Sequence, residues 1–495
     1  MFISIGTWLL WLFSLALSRA SREMEFESPK KVHTGYGLAE AWKQIMWTRF
    51  PEEIFPLFLS PLIDAGRIEE AQNKSRVRGL CEDDVESYSG YITVNREYQS
   101  NMFFWFFPQE THRADAPVLL WLNGGPGRTS LVGALMENGP YEVTTLDRIK
   151  AGHPPVVRRN VSWTRHFSML YIDNPVGVGY SFTKNDAGYS TSTKEAAENM
   201  YRVLVQFFKM FPQYSKNDFY AGGQSYAGKY VPVLGCYIHD RNTDTRDPPK
   251  ITINFKGIYV GAGYCDPKNM MPAFAEFLYS AGFISDAHRQ NLRSSFNKTL
   301  VEFSLSNKSL GTENYLQSFF NTPVRYIGLD SADHLLGDKA TNGHLSTGLE
   351  FFINSSATRM KLHVGFAQIP KRYASWSQTA ANKLTDFLTS TSKENAFLMD
   401  NYNVLHYSGN LDIVVNVPMT EAFLQHVQWS GQQQYNDSYR HKWSIGKKLA
   451  GWYTIIGNFT RVIIRNSGHM VPYDQPEAAL DMMRRFIFNQ PFRSA

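Results

Sequence analysis

The chain has few cysteines and lacks the residue patterns of several common protein classes. It holds 3 cysteines among 495 residues, Cys81, Cys236 and Cys265, so at most one disulfide can form within the chain. A domain held together by a disulfide framework is therefore excluded. None of the histidines begins an H-x-x-E or H-E-x-x-H pattern, which excludes the common zinc-hydrolase helix motifs. We expect neither a metal ion nor any other cofactor.

The sequence also lacks a strong charge bias, internal repeats and long low-complexity tracts. Lys and Arg number 50 and Asp and Glu 45, giving a net charge of +5. The basic residues are scattered without a dense block, so we expect no nucleic-acid surface. With 43% apolar residues, the chain can bury a substantial core.

Only one long apolar run is present, at the N-terminus. Residues 1–18 are apolar and end in small residues, which predicts a signal peptide over residues 1–20. The run lacks a basic segment before it, and a membrane anchor is the alternative, although the run is short for a span. No second run of spanning length follows. We expect a secreted or lysosomal/endosomal protein that has no membrane span once the signal peptide is removed.

Seven Asn-x-Ser/Thr sequons suit the secretory route, and each is a candidate glycosylation site. They are Asn73, Asn160, Asn297, Asn307, Asn354, Asn436 and Asn458. The sequence leaves the oligomeric state open, a homodimer included.

Ser225 lies in the most informative segment of the chain, G-Q-S-Y-A-G at residues 223–228. A short apolar run precedes it, and a predicted helix follows it. A serine between small residues at a strand-to-helix turn is typical of a nucleophile elbow, because only small flanking residues allow so sharp a turn. The helix N-terminus also favours negative charge at this point. An ordinary structural turn is the alternative.

A nucleophilic serine needs a base and a group that orients the base. Residues 403–412 predict a strand followed by a turn that ends on Asp412. Residues 461–472 predict a β-branched strand followed by a loop that contains His469. Singly, Asp412 fits a turn residue and His469 a surface histidine. Together with Ser225 they follow the order Ser, Asp, His at successive strand ends, which favours a catalytic triad.

Four motifs together resemble the serine carboxypeptidase family. They are L-W-L-N-G-G-P-G at residues 120–127, D-N-P-V-G-V-G-Y-S-F at 173–182, the turn at 223–228, and G-H-M-V-P at 468–472. The similarity extends from about Tyr88 to the C-terminus. Residues 56–61 and 103–108 further resemble the vitellogenic-like branch of animal serine carboxypeptidases.

The resemblance implies a role for each matching residue and a substrate, the C-terminus of a peptide or protein. The implied roles are the catalytic triad of Ser225, Asp412 and His469, the oxyanion-hole N–H groups of Gly125 and Tyr226, and the carboxylate-binding positions Asn123, Gly124, Glu137 and Gln224. An exopeptidase must hold a free carboxylate beside the scissile bond, and backbone N–H groups with neutral side-chain donors can do so. The implied reaction is acyl transfer from the peptide to Ser225 and then to water.

Two positions depart from the family pattern. Gln224 stands where the family usually has Glu, and Arg128 follows the Gly-rich motif where a Cys or a small residue is usual. Thr129 or Ser130 can still cap the next helix. For Arg128 we favour a solvated charge, with contact to the substrate carboxylate as the alternative.

Other functions are open on the same sequence. An esterase, lipase or acyltransferase could use the same triad, although the Asn-Gly-Gly-Pro-Gly loop favours peptides. A secreted binding or protective protein with weak catalysis is the alternative from a different class, and Gln224 and Arg128 are the residues that support it.

Strands alternate with helices along much of the chain, which predicts an α/β fold with a doubly wound, mostly parallel sheet. Apolar residues at helical spacing over 196–208 predict one core helix. With the resemblance, this gives an α/β-hydrolase with a cap insertion. The predicted organisation is a signal peptide (1–20), an N-terminal lead-in open to trimming (21–80), a first core part (81–262), the cap insertion (263–375) and a second core part (376–495).

Overall fold

The computed structural model describes residues 55–304, 333–336, 341–366 and 373–492. Within these residues an 11-stranded sheet forms the centre of the fold, and β5 and β6 form a separate pair. The strands are β1 Arg76–Val77, β2 Ser87–Asn95, β3 Ser100–Phe107, β4 Val118–Leu122, β5 Tyr141–Val143, β6 Val156–Arg158, β7 Ser168–Ile172, β8 Phe219–Gln224, β9 Phe255–Gly261, β10 Asn403–Gly409, β11 His441–Ile445, β12 Lys448–Ile456 and β13 Phe459–Ile464.

The large sheet has the strand order β1-β2-β3-β7-β4-β8-β9-β10-β13-β12-β11. From β7 to β13 all neighbouring strands are parallel, and antiparallel strands extend both edges. The predicted hairpin is confirmed, because β2 pairs antiparallel with β3 and Tyr88 lies opposite Phe106. The predicted doubly wound, mostly parallel α/β-hydrolase sheet is confirmed as well.

Helices cover both faces of the sheet. They are α1 Ser60–Asp64, α2 Ile68–Ser75, α3 Leu146–Lys150, α4 Thr193–Met210, α5 Ala227–Thr243, α6 Pro267–Ser280, α7 Asp286–Ser304, α8 Thr341–Asn354, α9 Ser356–Lys361, α10 Gln378–Lys383, α11 Ser392–Asn401, α12 Val417–Leu424, α13 Gln432–Asn436, α14 Val471–Asp474 and α15 Pro476–Ile487, with a π-helical turn at Gly133–Glu137. Among the described residues, we find no α-helix whose length and hydropathy would suit a transmembrane segment.

The central strands are buried on both sides, so their sequences are apolar throughout rather than alternating. In β4, Leu120 and its alternate neighbours pack into the core on the side of α4 and α5, whereas Trp121 packs into the core on the side of α15. The aromatic residues of the predicted core helix lie in α4, where Phe207 is fully buried. Ser192 begins this helix by accepting a hydrogen bond from the Glu195 N–H at 3.2 Å, as helix-capping serines do.

The described parts of the lead-in and of the region 263–375 are ordered segments of this fold. Leu59 and Ile63 of the lead-in are fully buried, and the Leu59 N–H donates to the Tyr91 carbonyl at 2.9 Å. Region 263–375 contributes α6, α7, α8 and α9. The three cysteines are free thiols. The predicted signal peptide lies outside the described residues.

Parallel strands place their carboxyl ends at one edge of a sheet, where α/β proteins bind their ligands. Here the loops after β4, β8, β10 and β13 all leave from that edge. They contain the Gly-rich motif, Ser225, Asp412 and His469, so the topology brings the segments with candidate site residues to one place.

Candidate active site

Ser225 stands on a sharp turn between β8 and α5. Its backbone has φ of +63°, a left-handed conformation that costs a residue with a side chain about 1 kcal/mol or more. The surrounding backbone holds this conformation, because the Ser225 N–H donates to the Gly261 carbonyl at 2.9 Å and the Ser225 carbonyl accepts from the Gly228 and Tyr264 N–H groups at 2.9 Å. The side chain is half-buried.

Gly223 explains why the turn needs small residues. A Cβ atom at this position would lie 2.0 Å from the Leu122 carbonyl oxygen and 2.8 Å from the Ala227 Cβ. The strand and the helix after it therefore approach each other at a distance that only glycine permits.

His469 and Asp412 form a buried hydrogen-bonded pair. The His469 Nδ1 atom lies 2.9 Å from the Asp412 Oδ2 atom, and the two residues are 8% and 1% exposed. A carboxylate only accepts hydrogen bonds, so Nδ1 carries the proton and the Nε2 lone pair is left available. Burial opposes a charge on the imidazole, but the Asp412 carboxylate, with those of Asp333 and Glu137, raises the pKa of His469. Among the described residues, no hydrogen bond joins Ser225 Oγ to His469.

The Gly-rich loop after β4 contacts the turn at Ser225 directly. A Cβ atom at Gly124 would lie 2.3 Å from the Tyr226 N atom and 2.8 Å from the Ser225 Cβ. Gly125 has φ of +113°, which a residue with a side chain rarely adopts. The Gly-rich loop and the turn at Ser225 are therefore in direct contact. Gly125 and Tyr226, the residues predicted for the oxyanion hole, lie on either side of this contact.

A second buried cluster lies beside the contact between the Gly-rich loop and the turn. It consists of Asn123, Glu137 and Gln224. Asn123 Nδ2 donates to Glu137 Oε1 at 3.0 Å, and Gln224 Nε2 donates to the same oxygen at 2.8 Å. The orientation of the Asn123 amide is fixed, because its Oδ1 accepts from Trp121 Nε1 and from the Gly133 N–H, both at 2.9 Å. The second oxygen of Glu137 and the side-chain oxygen of Gln224 are buried and make no hydrogen bond with described residues.

The environment of Glu137 favours its neutral form. Burial raises the pKa of Glu137 to about 7, against the opposing effects of the Asn123 hydrogen bond and the Arg128 charge. Near neutral pH the carboxyl group is therefore half protonated, and its second oxygen can carry a proton that is available for donation.

Arg128 is half-buried and close enough to Glu137 to act on its pKa. Its main chain pairs with Trp376 in a short antiparallel bridge, and the adjoining Thr129 N–H donates to the Ser375 carbonyl at 3.1 Å. The half-buried position of Arg128 is compatible with both interpretations made from the sequence, a solvated charge and a contact with the substrate carboxylate.

Asp173 holds the Gly-rich loop in place. Its carboxylate accepts hydrogen bonds from Thr129 Oγ1 at 2.5 Å, the Ser130 N–H at 3.0 Å and the Tyr180 N–H at 2.8 Å. Thr129 Oγ1 also accepts from the Leu131 N–H at 3.1 Å. The π-helical turn that follows has Val132 at its N-cap and no side-chain capping hydrogen bond, so the cap expected from Thr129 or Ser130 is not found there. Asp173 of the D-N-P motif thus holds the end of the Gly-rich loop in position through the hydrogen bonds to its carboxylate.

Two further residues near the site were missed by sequence reasoning. The Lys229 side chain is buried, with 1% of the residue exposed, and its ammonium donates to the carbonyls of residues 386, 387 and 389. Phe387 of this loop packs on the Tyr226 ring with centroids 5.1 Å apart. The sequence signal for Lys229 was a lysine within an apolar helix, one turn after the elbow.

The second missed residue is Asp333. It contacts His469 through its main chain, and no motif marks it.

The chain is similar to known proteins over most of its length. The family described as "Serine carboxypeptidase" matches residues 80–489. The chain is 37% identical over 472 residues to the "Probable serine carboxypeptidase CPVL" of Mus musculus, covering 89% of this chain and 91% of the mouse protein. It is 36% identical over 445 residues to the "Vitellogenic carboxypeptidase" of Aedes aegypti, covering 87% and 89%.

A solved structure shares the fold. It is that of Kex1Δp, a prohormone-processing carboxypeptidase from Saccharomyces cerevisiae, with a TM-score of 0.73 at 20% identity, covering 84% of this chain and 96% of the yeast chain. The resemblance stated from the sequence motifs is thereby confirmed, including the vitellogenic-like branch. The chain belongs to the serine carboxypeptidase family and is a serine-type carboxypeptidase.

Proposed function

We propose that the protein removes single amino acids from peptide C-termini through a triad of Ser225, His469 and Asp412 and a covalent acyl-enzyme. The observation that carries the proposal is the buried hydrogen bond of 2.9 Å between His469 Nδ1 and Asp412 Oδ2. This bond points the Nε2 lone pair away from the acid. The sheet edge at which His469 lies also carries Ser225 on its strained turn.

The reaction then proceeds in two halves. His469 Nε2 accepts the Ser225 hydroxyl proton as Oγ attacks the last peptide carbonyl, and Asp412 stabilises the imidazolium that forms. The imidazolium passes its proton to the leaving amine, the C-terminal amino acid departs, and an acyl ester remains on Ser225. Water attacks this ester with His469 again as the base, which restores the hydroxyl and releases the shortened peptide.

The oxyanion is assigned to the main-chain N–H groups of Gly125 and Tyr226. The contact between Gly124 and the Tyr226 N atom supports this assignment, because it brings the two loops together beside Ser225. Loss of one such donor costs roughly 3–4 kcal/mol of transition-state stabilisation in serine proteases.

The substrate carboxylate is assigned to Asn123, Gly124, Glu137 and Gln224. Glu137 accepts two hydrogen bonds on one oxygen, which leaves its second oxygen for the substrate. Because burial raises the pKa of Glu137 to about 7, the protonated acid can donate to an anionic carboxylate without charge repulsion. We place Arg128 at the rim of this site, where its charge attracts the same carboxylate.

A test of this function compares two series of blocked dipeptides that differ only at the C-terminus. We expect fast release of the last residue from the free acids and much slower turnover of the amides, because the amides lack the recognised carboxylate. Ser225→Ala is the matched control and should abolish both reactions and the labelling by a serine-reactive phosphonate. Equal rates of the wild type on acids and amides would instead indicate an esterase or amidase. Absence of phosphonate labelling in the wild type would indicate a binding protein.

We also propose a secretory route with glycan on several sequons. Asn73, Asn160, Asn297, Asn436 and Asn458 are exposed, as glycosylation requires, and Asn307 lies outside the described residues. The mature chain should begin after residues 18–20 or further on. Recovery of intact Met1 on an unglycosylated protein would contradict the proposal.

Residues 263–375 are proposed as the cap over the active site. The described part of this region reaches the site, since the main chain of Thr129 is bonded to Ser375 and that of His469 to Asp333. The core is then formed by residues 81–262 and 376–495. Chimeras that exchange this region between relatives should change the preferred substrate side chains and leave the triad chemistry in place.

A further inference from the structure

A short segment, residues 333–336, lies against the two loops that carry Asp412 and His469; we call it the strap segment. The Asp333 carbonyl accepts a hydrogen bond from the His469 N–H at 2.7 Å, and the Leu335 N–H donates to the Leu411 carbonyl at 2.8 Å. Leu411 immediately precedes Asp412. One segment from elsewhere in the chain therefore fixes the main chain on both sides of the Asp412–His469 pair.

Gly468 shows how closely the strap segment approaches the histidine loop. A Cβ atom at this position would lie 2.1 Å from the Asp333 carbonyl oxygen and 2.9 Å from the His334 Cα. A backbone atom cannot yield as a flexible side chain can, so an alanine here would force the two segments apart. The glycine of the G-H-M-V-P motif is thus needed for contact with the strap segment.

The strap segment also brings charge to the histidine. The groups that act on His469 are the Asp412, Asp333 and Glu137 carboxylates, all of which favour its protonated form, while burial opposes it. Asp474 lies next to the same loop, where its carboxylate accepts the Gly468 N–H at 2.7 Å. Burial is the main cause that raises the pKa of Asp474; the Asp333 and Asp412 charges add to it, and the Gly468 hydrogen bond and His334 oppose it.

We propose that Asp333 is a positioning residue for the catalytic base, an inference that rests on the function proposed above. Its carbonyl holds the His469 main chain, and its carboxylate favours the imidazolium that forms when Ser225 attacks. The main-chain hydrogen bond places Asp333 beside the histidine loop, and its carboxylate raises the pKa of His469 in the same sense as Asp412 does. The catalytic base is therefore also held by a residue outside the strand-end loops.

Asp333→Asn keeps the main chain and the side-chain shape but removes the negative charge. Loss of one nearby negative charge should lower the kinetic pKa of the acid limb of kcat/KM by on the order of half a unit to one unit. A weaker base should also lower kcat on the plateau by about two- to fivefold. KM should stay close to the wild-type value, because none of the residues proposed to bind the substrate carboxylate is altered.

The experiment measures kcat and KM from acid to neutral pH with a blocked dipeptide, on the full glycosylated chain. Asp240→Asn, an exposed carboxylate on α5, is the matched control and should reproduce the wild-type profile. Gly468→Ala tests the main-chain contact separately, and we expect a fall in kcat of about tenfold or more, since a misplacement near 1 Å is enough. An acid limb of Asp333→Asn that coincides with the wild type, or full activity in Gly468→Ala, would overturn the proposal.

The same measurements separate this proposal from the function on which it rests. If Ser225→Ala keeps activity, the triad itself is wrong and the inference falls with it. If Ser225→Ala is inactive and the Asp333→Asn profile is unshifted, the triad stands and only the role of Asp333 is refuted. Should Asp333→Asn fail to fold, the result for Gly468→Ala decides.

Discussion

Replacement of Glu137 by Gln should remove the alkaline fall of activity. Burial raises the pKa of Glu137 to about 7, and the proposed mechanism needs its protonated form to receive the substrate carboxylate. At about pH 8.5 only roughly one molecule in thirty keeps that proton, so kcat/KM of the wild type should be about 30-fold below its maximum. The loss should lie mainly in KM, because the proton serves binding.

The Glu137→Gln side chain would keep the geometry and donate at every pH. Its amide oxygen can accept from Asn123 and Gln224 as Glu137 Oε1 does, at 3.0 and 2.8 Å, and its amide nitrogen takes the position of the second carboxyl oxygen. The profile of Glu137→Gln should therefore rise with pH through the ionisation of His469 and stay level. The assay is kcat and KM against pH with a blocked dipeptide acid, and the matching amide, which lacks the carboxylate, serves as the control substrate.

The raised pKa of Glu137 also predicts how the free energy of unfolding depends on pH. The pKa of Glu137 is raised from 4.5 to about 7, so between these values the folded protein binds more protons than the unfolded chain. Its stability contribution is fully present below the unfolded pKa and is lost as pH rises through the folded pKa, a loss of about 3 kcal/mol in all. Urea unfolding at about pH 5 and pH 8 should show most of this loss, about 2.5 kcal/mol, in the wild type relative to Glu137→Gln. An alkaline limb that is unchanged in Glu137→Gln, with equal stability differences, would refute the reasoning.

Three other outcomes can be checked. In Gln224→Glu, adjacent carboxylates that resist double ionisation add a second titration, so kcat/KM should start to fall at more acid pH; superimposable pH profiles would show that Gln224 has no part in setting the working range. Lys229→Met removes the ammonium that three carbonyls share and should lower the free energy of unfolding by about 2–4 kcal/mol. Urea titration measures this change, and Lys194→Met, at an exposed lysine, is the control. Equal free energies of unfolding in the two variants would contradict the prediction. Asn354 should carry no glycan, whereas Asn458 should. The Asn354 Nδ2 already donates to the Glu350 and Tyr373 carbonyls at 2.7 and 3.1 Å. Glycopeptide mass spectrometry that finds Asn354 occupied would contradict this.

The fold could be predicted from the sequence because its signals are local. Buried parallel strands are continuous apolar runs, and the turns after them contain small residues, so the segments ending at Ser225, Asp412 and His469 could be aligned with strand ends. The hairpin of β2 and β3 and the core helix α4 followed from the same rules.

The chemistry around the strand ends was less accessible. Glu137 entered only through the resemblance, since nothing in its own segment shows that burial raises its pKa to about 7. The role of Lys229 depends on a loop 157 to 160 residues further along the chain. Asp333 is bonded through its main chain, and a main-chain contact leaves no pattern in side chains.

The position of Gly124 beneath the turn at Ser225 limits how this scaffold can be re-engineered. Because a Cβ atom at Gly124 would lie 2.3 Å from the Tyr226 N atom, enlarging the loop to admit an internal peptide segment would displace the nucleophile at the same time. Conversion to an endopeptidase or transpeptidase therefore cannot begin at the loop. It has to begin at a side chain that we propose faces the substrate without supporting the turn, and Arg128 is the first choice.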